Sequence, residues 1–181
     1  LFILFGAFLA KSGMGKLFND LAMALAGHKQ GGPAKVAVIS SGFMGSINGT
    51  AVANVVGTGS FTIPLMKKIG YHKNFAGAVE ASASVGGQIL PPVMGASAFI
   101  MAETTGVSYG TIALAATLPA LLYYLGVMAQ VHFRAGKDNL KGVPKADLPR
   151  VKDVLKERGH LLIPIVALVF FLFQSIPVSY A

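Results

Sequence analysis

Long apolar stretches alternate with short polar or basic segments along this chain, and their lengths predict helices. Residues 75–102 and 109–133 are each long enough to cross a bilayer core, which needs about 20 apolar residues. A shorter stretch at 161–176 spans the core marginally if its flanks are included. The ten apolar residues at the start are too few to span, so they predict the end of a longer transmembrane helix and a chain that is a fragment. The pattern predicts an all-α integral membrane protein.

Polar residues interrupt the apolar stretch at residues 41–68. The letters GSINGT, at 45–50, stand where a spanning helix would be continuous. They predict a hairpin of two short helices, 34–44 and 51–65, each about half a bilayer deep at roughly 1.5 Å per residue. Unwound backbone at that depth is tolerated only inside protein or beside a water-filled cavity. The tip therefore predicts a binding site.

A second interruption, at residues 86–92, lies in the next apolar stretch. It contains two adjacent glycines and two adjacent prolines, and proline removes a backbone donor and clashes with the preceding turn. A simple kink closed by neighbouring helices is the alternative. Two breaks together favour a site of the kind secondary transporters build from broken helices near the midplane.

The basic residues support the hairpin. All 15 Lys and Arg residues fall in the zones 11–35, 67–73 and 134–158, and the positive-inside rule places all three zones in the cytoplasm. A single crossing between the first two zones would put the second outside. A re-entrant hairpin keeps both inside.

Amphipathic patterns complete the predicted order of elements. The apolar residues of 14–25 lie opposite Lys16 and Asn19, which predicts a helix on the membrane surface. The predicted elements are a transmembrane helix end at 1–12, a cytoplasmic amphipathic helix at 13–30, a re-entrant hairpin at 33–66, a discontinuous transmembrane helix at 74–103, a transmembrane helix at 108–134, a cytoplasmic linker with an amphipathic arm at 135–158 and a transmembrane helix at 159–177.

Composition excludes several classes of protein. With 54% hydrophobic residues, 12% charged residues and a mean hydropathy of +0.64, the chain is too apolar for an ordinary soluble domain. The net charge of +8 does not indicate nucleic-acid binding, because the charges lie between apolar runs. No cysteine is present, and no nucleophile with a base partner is visible, so neither a thiolate metal site nor an enzyme is predicted.

Glu80 is a carboxylate within a predicted transmembrane helix. Its spacing aligns it with Ser84 and Gln88 on one helical face. An ionisable residue at such a position is a functional hypothesis, here a coupling carboxylate. An ion pair that only orients the hairpin is the alternative, with Lys67, Lys68 or Lys73 as partner.

The second arm of the hairpin carries a polar stripe with a residue every four positions. Its members are Thr50, Asn54, Thr58 and Thr62. Threonines in membrane helices often bond the carbonyl four residues earlier in their own helix. The sequence therefore predicts only Thr50 and Asn54, nearest the tip, as site residues.

Two runs carry a resemblance to a known family. GPAKVAVISSGFMGSINGTAVANVVGTGSFTIPLMKKIGY, at 32–71, and FAGAVEASASVGGQILPPVMGASAFIMAE, at 75–103, closely resemble the large membrane subunit of tripartite ATP-independent periplasmic (TRAP) transporters. The similarity covers residues 1 to about 135 and is greatest to TAXI-type permeases, in which small and large subunits are often fused. It implies one half of an inverted-repeat, elevator-type transporter. It also implies a bacterial inner-membrane location, a periplasmic receptor, a small membrane subunit, small organic anions such as carboxylates, and sodium as coupling ion with no other cofactor.

The resemblance implies that the hairpin tip and the GGQILPP break build half of the ion and substrate site. Predicted sodium ligands are Ser46, Gly49, Gly87 and Pro91, and predicted substrate-binding residues are Asn48, Thr50, Asn54 and Gln88. Asn48 stands where the family commonly has a serine, and an amide also supplies a carbonyl ligand. The second repeat is absent, so the fragment alone is not expected to transport. An ion-channel pore with a re-entrant loop is the alternative function.

Overall fold

The computed structural model describes Phe8, residues 10–144 and residues 148–173. Within these ranges the chain is helical and forms no strand, which confirms the all-α prediction. The helices are α1 Gly15–Ala26, α2 Gly32–Asn48, α3 Ala51–Ile69, α4 Lys73–Gly86, α5 Ala96–Thr105, α6 Tyr109–Lys137, α7 Val151–Arg158 and α8 Ile163–Phe173. A π-helical turn, Ala10–Met14, precedes α1, and a 3-10 turn, Gly159–Leu162, joins α7 to α8. Most of the predicted helix end at 1–12, and the end of the last predicted span at 174–177, lie outside the described residues.

Helices α2 and α3 form a tight antiparallel hairpin. Gly49 ends α2 with a φ of 64°, a left-handed conformation that favours glycine, and only Thr50 separates it from α3. The two arms have 17 and 19 residues, or about 26 and 28 Å of helix. The predicted arms, 34–44 and 51–65, are too short. At the tip the added turn of α2 is held against the segment that follows α4, since Gly45 packs against Gly87 and the Ser46 carbonyl accepts from Val93 N.

The sequence predicts that α1 lies on the membrane surface with Asn19 on its polar face, and the predicted exposure of Asn19 is wrong. Asn19 is buried, and its side-chain oxygen accepts a hydrogen bond from the Ser40 hydroxyl of α2. Leu17 and Phe18 are also buried, so the buried surface of α1 extends around more than half of the helix at this level. Helix α1 therefore packs along α2 through a face that mixes apolar residues with one polar contact.

Parts of the three basic zones, residues 27–35, 67–73 and 134–143, meet at one end of the molecule. Gly31 N donates to the Leu140 carbonyl at 3.1 Å, and Val143 N donates to the Gly27 carbonyl at 2.8 Å. The Tyr71 hydroxyl, between α3 and α4, donates to the Gly31 carbonyl at 3.4 Å. Burial, with a smaller contribution from Asp138, raises the pKa of Tyr71 to about 12.

The rest of the first and third zones does not lie at this end, which corrects the prediction that all three zones group together. Met14 and Val154 pack with Met44 and Ile47, near the hairpin tip.

The predicted discontinuous helix consists of α4, an irregular segment at 87–95 and α5. The irregular segment contains a cis peptide bond between Pro91 and Pro92. Helix α6 follows, and within the described ranges it is the one helix both long and apolar enough to cross a membrane. Large apolar side chains along α6, Leu114, Leu118 and Leu125 among them, are exposed. Such a face suits lipid or the apolar surface of another protein segment.

Candidate functional site

The hairpin tip lies directly against the break between α4 and α5. Val93 N, in the break, donates to the Ser46 carbonyl at 2.9 Å. A Cβ atom on Gly49 would stand 2.1 Å from the Met94 carbonyl oxygen, so the two backbones are in close contact. The structure therefore brings together two interruptions that are about 40 residues apart in sequence.

The backbone of the break is held by defined donors. Gly95 N donates to the Gln88 carbonyl at 2.7 Å, which closes the irregular segment on itself. The Tyr109 hydroxyl, at the start of α6, lies 2.8 Å from the Pro92 carbonyl oxygen and 2.6 Å from that of Val93. Sequence reasoning missed Tyr109, because nothing in the local pattern links it to a proline pair 17 residues earlier.

The two asparagines at the tip each leave one buried polar atom unpaired among the described residues. Asn48 Oδ1 accepts from Thr50 N at 3.2 Å, while its Nδ2 has no partner. Asn54 is fully buried, and its Nδ2 donates to the Ser41 carbonyl at 2.8 Å, while its Oδ1 has no partner. Buried polar atoms are rarely left without a partner, so these two atoms are candidates for contact with a ligand or water.

The remaining predicted site residues differ in how deeply they are buried and in what they contact. Ser46 is buried, and its hydroxyl donates to the Phe43 carbonyl at 2.9 Å. Gly87 lies in close backbone contact with the hairpin, since a Cβ atom there would be 2.5 Å from the Cα of Gly45. Pro91 is half-buried. Gln88 is exposed and lines an apolar groove of ≈ 300 Å³ with Met94 and with residues of α5 and α6.

Glu80 is fully buried in a cluster of hydroxyl groups, hereafter the hydroxyl cage. Ser41 Oγ lies 2.8 Å from Glu80 Oε1, and Ser84 Oγ lies 3.3 Å from the same oxygen. The Thr58 hydroxyl also contacts Oε1, and Thr62 Oγ1 lies 2.5 Å from Oε2. The cage is thus shared by α2, α3 and α4, that is, by both arms of the hairpin and the helix that carries the break.

Lysine does not neutralise Glu80 within the described part of the chain. Lys67, Lys68 and Lys73, the partners of the alternative prediction, are exposed. The ion pairs of the described residues join Arg134 to Asp138 and Arg158 to Glu157 at the surface. Hydroxyl groups alone surround this carboxyl group.

Three members of the cage were missed from sequence. Ser41 was not singled out, and the threonines of the polar stripe were set aside as groups that bond their own helix. Thr58 and Thr62 do bond the carbonyls of Asn54 and Thr58, at 2.9 and 3.0 Å, but both also reach Glu80. The four-residue spacing of the stripe, matched by that of Glu80 and Ser84, was the signal that could have found them.

Comparison with known proteins decides the family. The model of the tripartite ATP-independent periplasmic transporter, DctM component, matches residues 1–180. The chain belongs to this family. The DctM component is a membrane-embedded transport permease and not an enzyme, as the sequence predicts.

Curated members of the DctM family match most of this chain. The 2,3-diketo-L-gulonate TRAP transporter large permease protein YiaN of Escherichia coli is 29% identical over 83% of this chain and 35% of its own length. The C4-dicarboxylate TRAP transporter large permease protein DctM of Pseudomonas aeruginosa is 30% identical over 81% of this chain and 34% of its own. The sialic acid TRAP transporter large permease protein SiaM of Vibrio cholerae is 28% identical over 91% and 38%. The chain therefore spans about a third of the length of these relatives.

Proposed function

We propose that the protein is the membrane permease component of a cation-coupled secondary transporter that imports small organic anions. The relatives named above take a diketo sugar acid, C4-dicarboxylates and sialic acid, which are all carboxylates, and this supports a carboxylate as substrate. The transport activity belongs to the complete permease, because the chain corresponds to only part of its relatives.

The observation that carries the proposal is the seating of the hairpin tip in the break of the next helix. Secondary transporters bind substrate and ion where helices are broken, since half-helix ends and unwound carbonyls supply charge and ligands there. The two unpaired side-chain atoms of Asn48 and Asn54 lie in this region. A donor such as Asn48 Nδ2 suits an anionic substrate, and an acceptor such as Asn54 Oδ1 suits a cation.

Sodium is the proposed coupling ion at the tip. Ser46, Gly49 and Gly87 meet there and offer hydroxyl and carbonyl oxygens, the hard ligands that small cations prefer; Pro91 is the proposed fourth contributor. Asn48, Thr50, Asn54 and Gln88 are the proposed contacts of the substrate, and the side-chain oxygens of Asn48 and Asn54 are proposed to serve the ion as well. A bound cation would offset part of the negative charge of a carboxylate substrate at the same place.

The proposed setting is the bacterial inner membrane, with the hairpin re-entrant from the cytoplasmic side. The meeting of residues 27–35, 67–73 and 134–143 at one end supports it, because both ends of the hairpin then face the same compartment. A periplasmic solute-binding receptor would deliver the anion. A small membrane subunit, separate or fused as in TAXI-type permeases, and the second half of the elevator would cover the exposed apolar faces of α5 and α6.

The test removes ligand oxygens at the tip in the complete permease, by the double change Ser46→Ala and Asn48→Ala. We expect a higher sodium concentration for half-maximal uptake in proteoliposomes supplied with the receptor. We also expect a smaller sodium-induced rise in melting temperature, since an ion that binds only the folded form stabilises it by mass action.

Ser60→Ala is the matched control for this test. The Ser60 hydroxyl also bonds the carbonyl three residues earlier, that of Gly57, but it is exposed on α3 away from the tip. The control should keep both sodium responses of the wild type. If the double variant keeps them too, the sodium site lies elsewhere.

A further inference from the structure

We propose that Glu80 and its hydroxyl cage form a proton-binding site, which makes a proton a second coupled cation of this permease. The proposal deepens the proposed transport function, and its uptake test rests on that function. Proton binding by Glu80 is inferred independently of transport, from the charge and hydrogen bonding of one buried group.

A buried carboxylate without a counter-charge is unfavourable. Glu80 is fully buried, and taking an ion out of water is costly unless an opposite charge or a full set of hydrogen bonds compensates. The groups on the helices packed around it supply no such charge. The exposed lysines of α3 and α4 lie at the basic end, and Lys35 of α2 has its Nζ 3.0 Å from His132 Nδ1. From α6, Tyr124 donates its hydroxyl to the Ala83 carbonyl at 2.8 Å.

A cage of hydroxyls accommodates both protonation states of a carboxyl group. A hydroxyl donates one hydrogen bond and also accepts, so it can donate to a carboxylate or, after rotation, accept from the acid. Lysine or arginine would favour the charged form alone. An apolar pocket would favour the neutral form alone. The hydroxyl cage is therefore suited to a group that gains and loses a proton.

Counting protons shows that the cage has a place for an acid hydrogen on the carboxyl group. Thr62 has one hydroxyl proton but two acceptors, the Thr58 carbonyl at 3.0 Å and Glu80 Oε2. Thr58 likewise has the Asn54 carbonyl at 2.9 Å and Glu80 Oε1. When either threonine donates to its carbonyl, its contact with the carboxyl group needs a proton from Glu80. Protonation forms one O–H bond on Glu80, and the proton comes from water on one side of the membrane and returns to water on the other.

The contacts favour a proton over a metal cation in the cage. A cation the size of Ca²⁺ holds oxygens at roughly 2.3–2.6 Å, so neighbouring oxygens of an octahedral site are about 3.3–3.7 Å apart. Here the oxygens contact one another directly: Ser41 Oγ lies 2.8 Å from Glu80 Oε1 and 2.9 Å from Thr58 Oγ1. These are hydrogen-bond distances, and a proton is the cation that fits between such atoms.

The position of the cage links protonation to the site at the tip. Ser41 bonds Glu80 through its hydroxyl and accepts from Asn54 Nδ2 through its carbonyl. Asn54 carries the unpaired Oδ1 proposed to face the ligand. A change in the charge of Glu80 therefore acts on Ser41, whose carbonyl accepts a hydrogen bond from Asn54, the asparagine proposed to bind the ligand. It also acts on the packing of both hairpin arms against α4.

The experiment uses the complete permease and compares Glu80→Gln with Glu103→Gln. Glu103 is an exposed carboxylate on α5, so its substitution controls for loss of charge. A second pair is Thr62→Val and Thr104→Val, since the Thr104 hydroxyl bonds the Ile100 carbonyl but no carboxylate. Infrared difference spectra between acid and alkaline pH report a protonated carboxyl group directly. Uptake driven by an acid exterior at equal sodium on both sides reports coupling.

We expect the wild type to show a buried carboxyl band that Glu80→Gln removes and Thr62→Val shifts, with neither control changing it. Acid-stimulated uptake should be lost in Glu80→Gln and retained in both controls. A Glu80→Gln variant that keeps the band and the acid stimulation would overturn the proposal, as would a Glu80 carboxylate band that responds to sodium and not to pH. If no variant or wild type takes up an organic anion, the proposed transport function fails, while the infrared result still decides whether Glu80 binds a proton.

Discussion

At the scale of single residues, two glycines in helices differ sharply in their surroundings. Gly45 of α2 lies where the hairpin meets the break, and a Cβ atom there would stand 2.5 Å from the Cα of Gly87. Gly77 of α4 has open space around the same position. Small residues permit such close approach between membrane helices, so Gly45 has a packing role that Gly77 lacks.

We therefore expect Gly45→Ala to destabilise the protein and Gly77→Ala to leave it unchanged or stabilise it. Overpacking a close contact costs about 1–3 kcal/mol. Alanine in place of an unconstrained helical glycine gains roughly 0.5–1 kcal/mol. Melting temperatures of the two purified variants, measured in the same detergent, give the comparison. Equal melting temperatures would contradict the close contact between the tip and the break.

At the scale of elements, the break between α4 and α5 is stabilised by a helix that follows it. The hydroxyl of Tyr109, the first residue of α6, contacts the Val93 carbonyl of the break. The Tyr109 ring stacks on Phe99 with centroids 4.6 Å apart. The backbone of the break is therefore held by α6 as well as by the hairpin tip.

Tyr109→Phe should loosen the break while preserving the stacking. The lost hydroxyl leaves the carbonyls of Pro92 and Val93 without this donor, at a cost of about 1–3 kcal/mol. Tyr123→Phe is the control, because its hydroxyl bonds the carbonyl of Ser82 within α4 at a more exposed position. We expect the first variant alone to speed hydrogen exchange at residues 87–95. Unchanged exchange there would show that Tyr109 does not hold the break.

At the scale of the whole molecule, the arrangement of the basic zones predicts which parts face the cytoplasm. Lys68 and Lys141 lie in zones that the structure brings to one end, and both are exposed. Gly106, between α5 and α6, is exposed and far from any basic zone. The chain contains no cysteine, so single cysteines introduced at these positions are the only ones within it.

In whole cells we expect an impermeant thiol reagent to label a cysteine at 106 but not at 68 or 141. In inside-out vesicles the labelling should reverse, because the positive-inside rule places the basic end in the cytoplasm. Labelling of position 68 and of a cysteine at position 35, the other end of the hairpin, from opposite sides would rule out the re-entrant hairpin. A membrane-permeant reagent that reacts at all of these positions is the control for accessibility.

The sequence by itself determined the helical membrane class, the two interruptions and the grouping of basic residues. These are local or compositional properties: apolar length, proline and glycine chemistry, and charge between apolar runs act wherever the chain folds. Glu80 was also identified as a candidate from local sequence, because burying a carboxyl group in an apolar helix is energetically unfavourable whatever packs around it. The DctM family was recognised from two motifs, and the family match then confirmed it.

Only the tertiary structure decided what surrounds Glu80, how long the hairpin arms are and what holds the break. The partners of Glu80 come from three helices, and Ser41 is 39 positions away. Local rules assigned Thr58 and Thr62 to their own helix, yet those hydroxyls also face the carboxyl group once α3 packs on α4. The arms extend beyond their predicted ends, and at the tip the added turn of α2 packs against Gly87 and Val93. A residue's sequence neighbours fix its backbone preferences, but a buried polar atom is satisfied by whichever atoms the packing brings within about 3 Å.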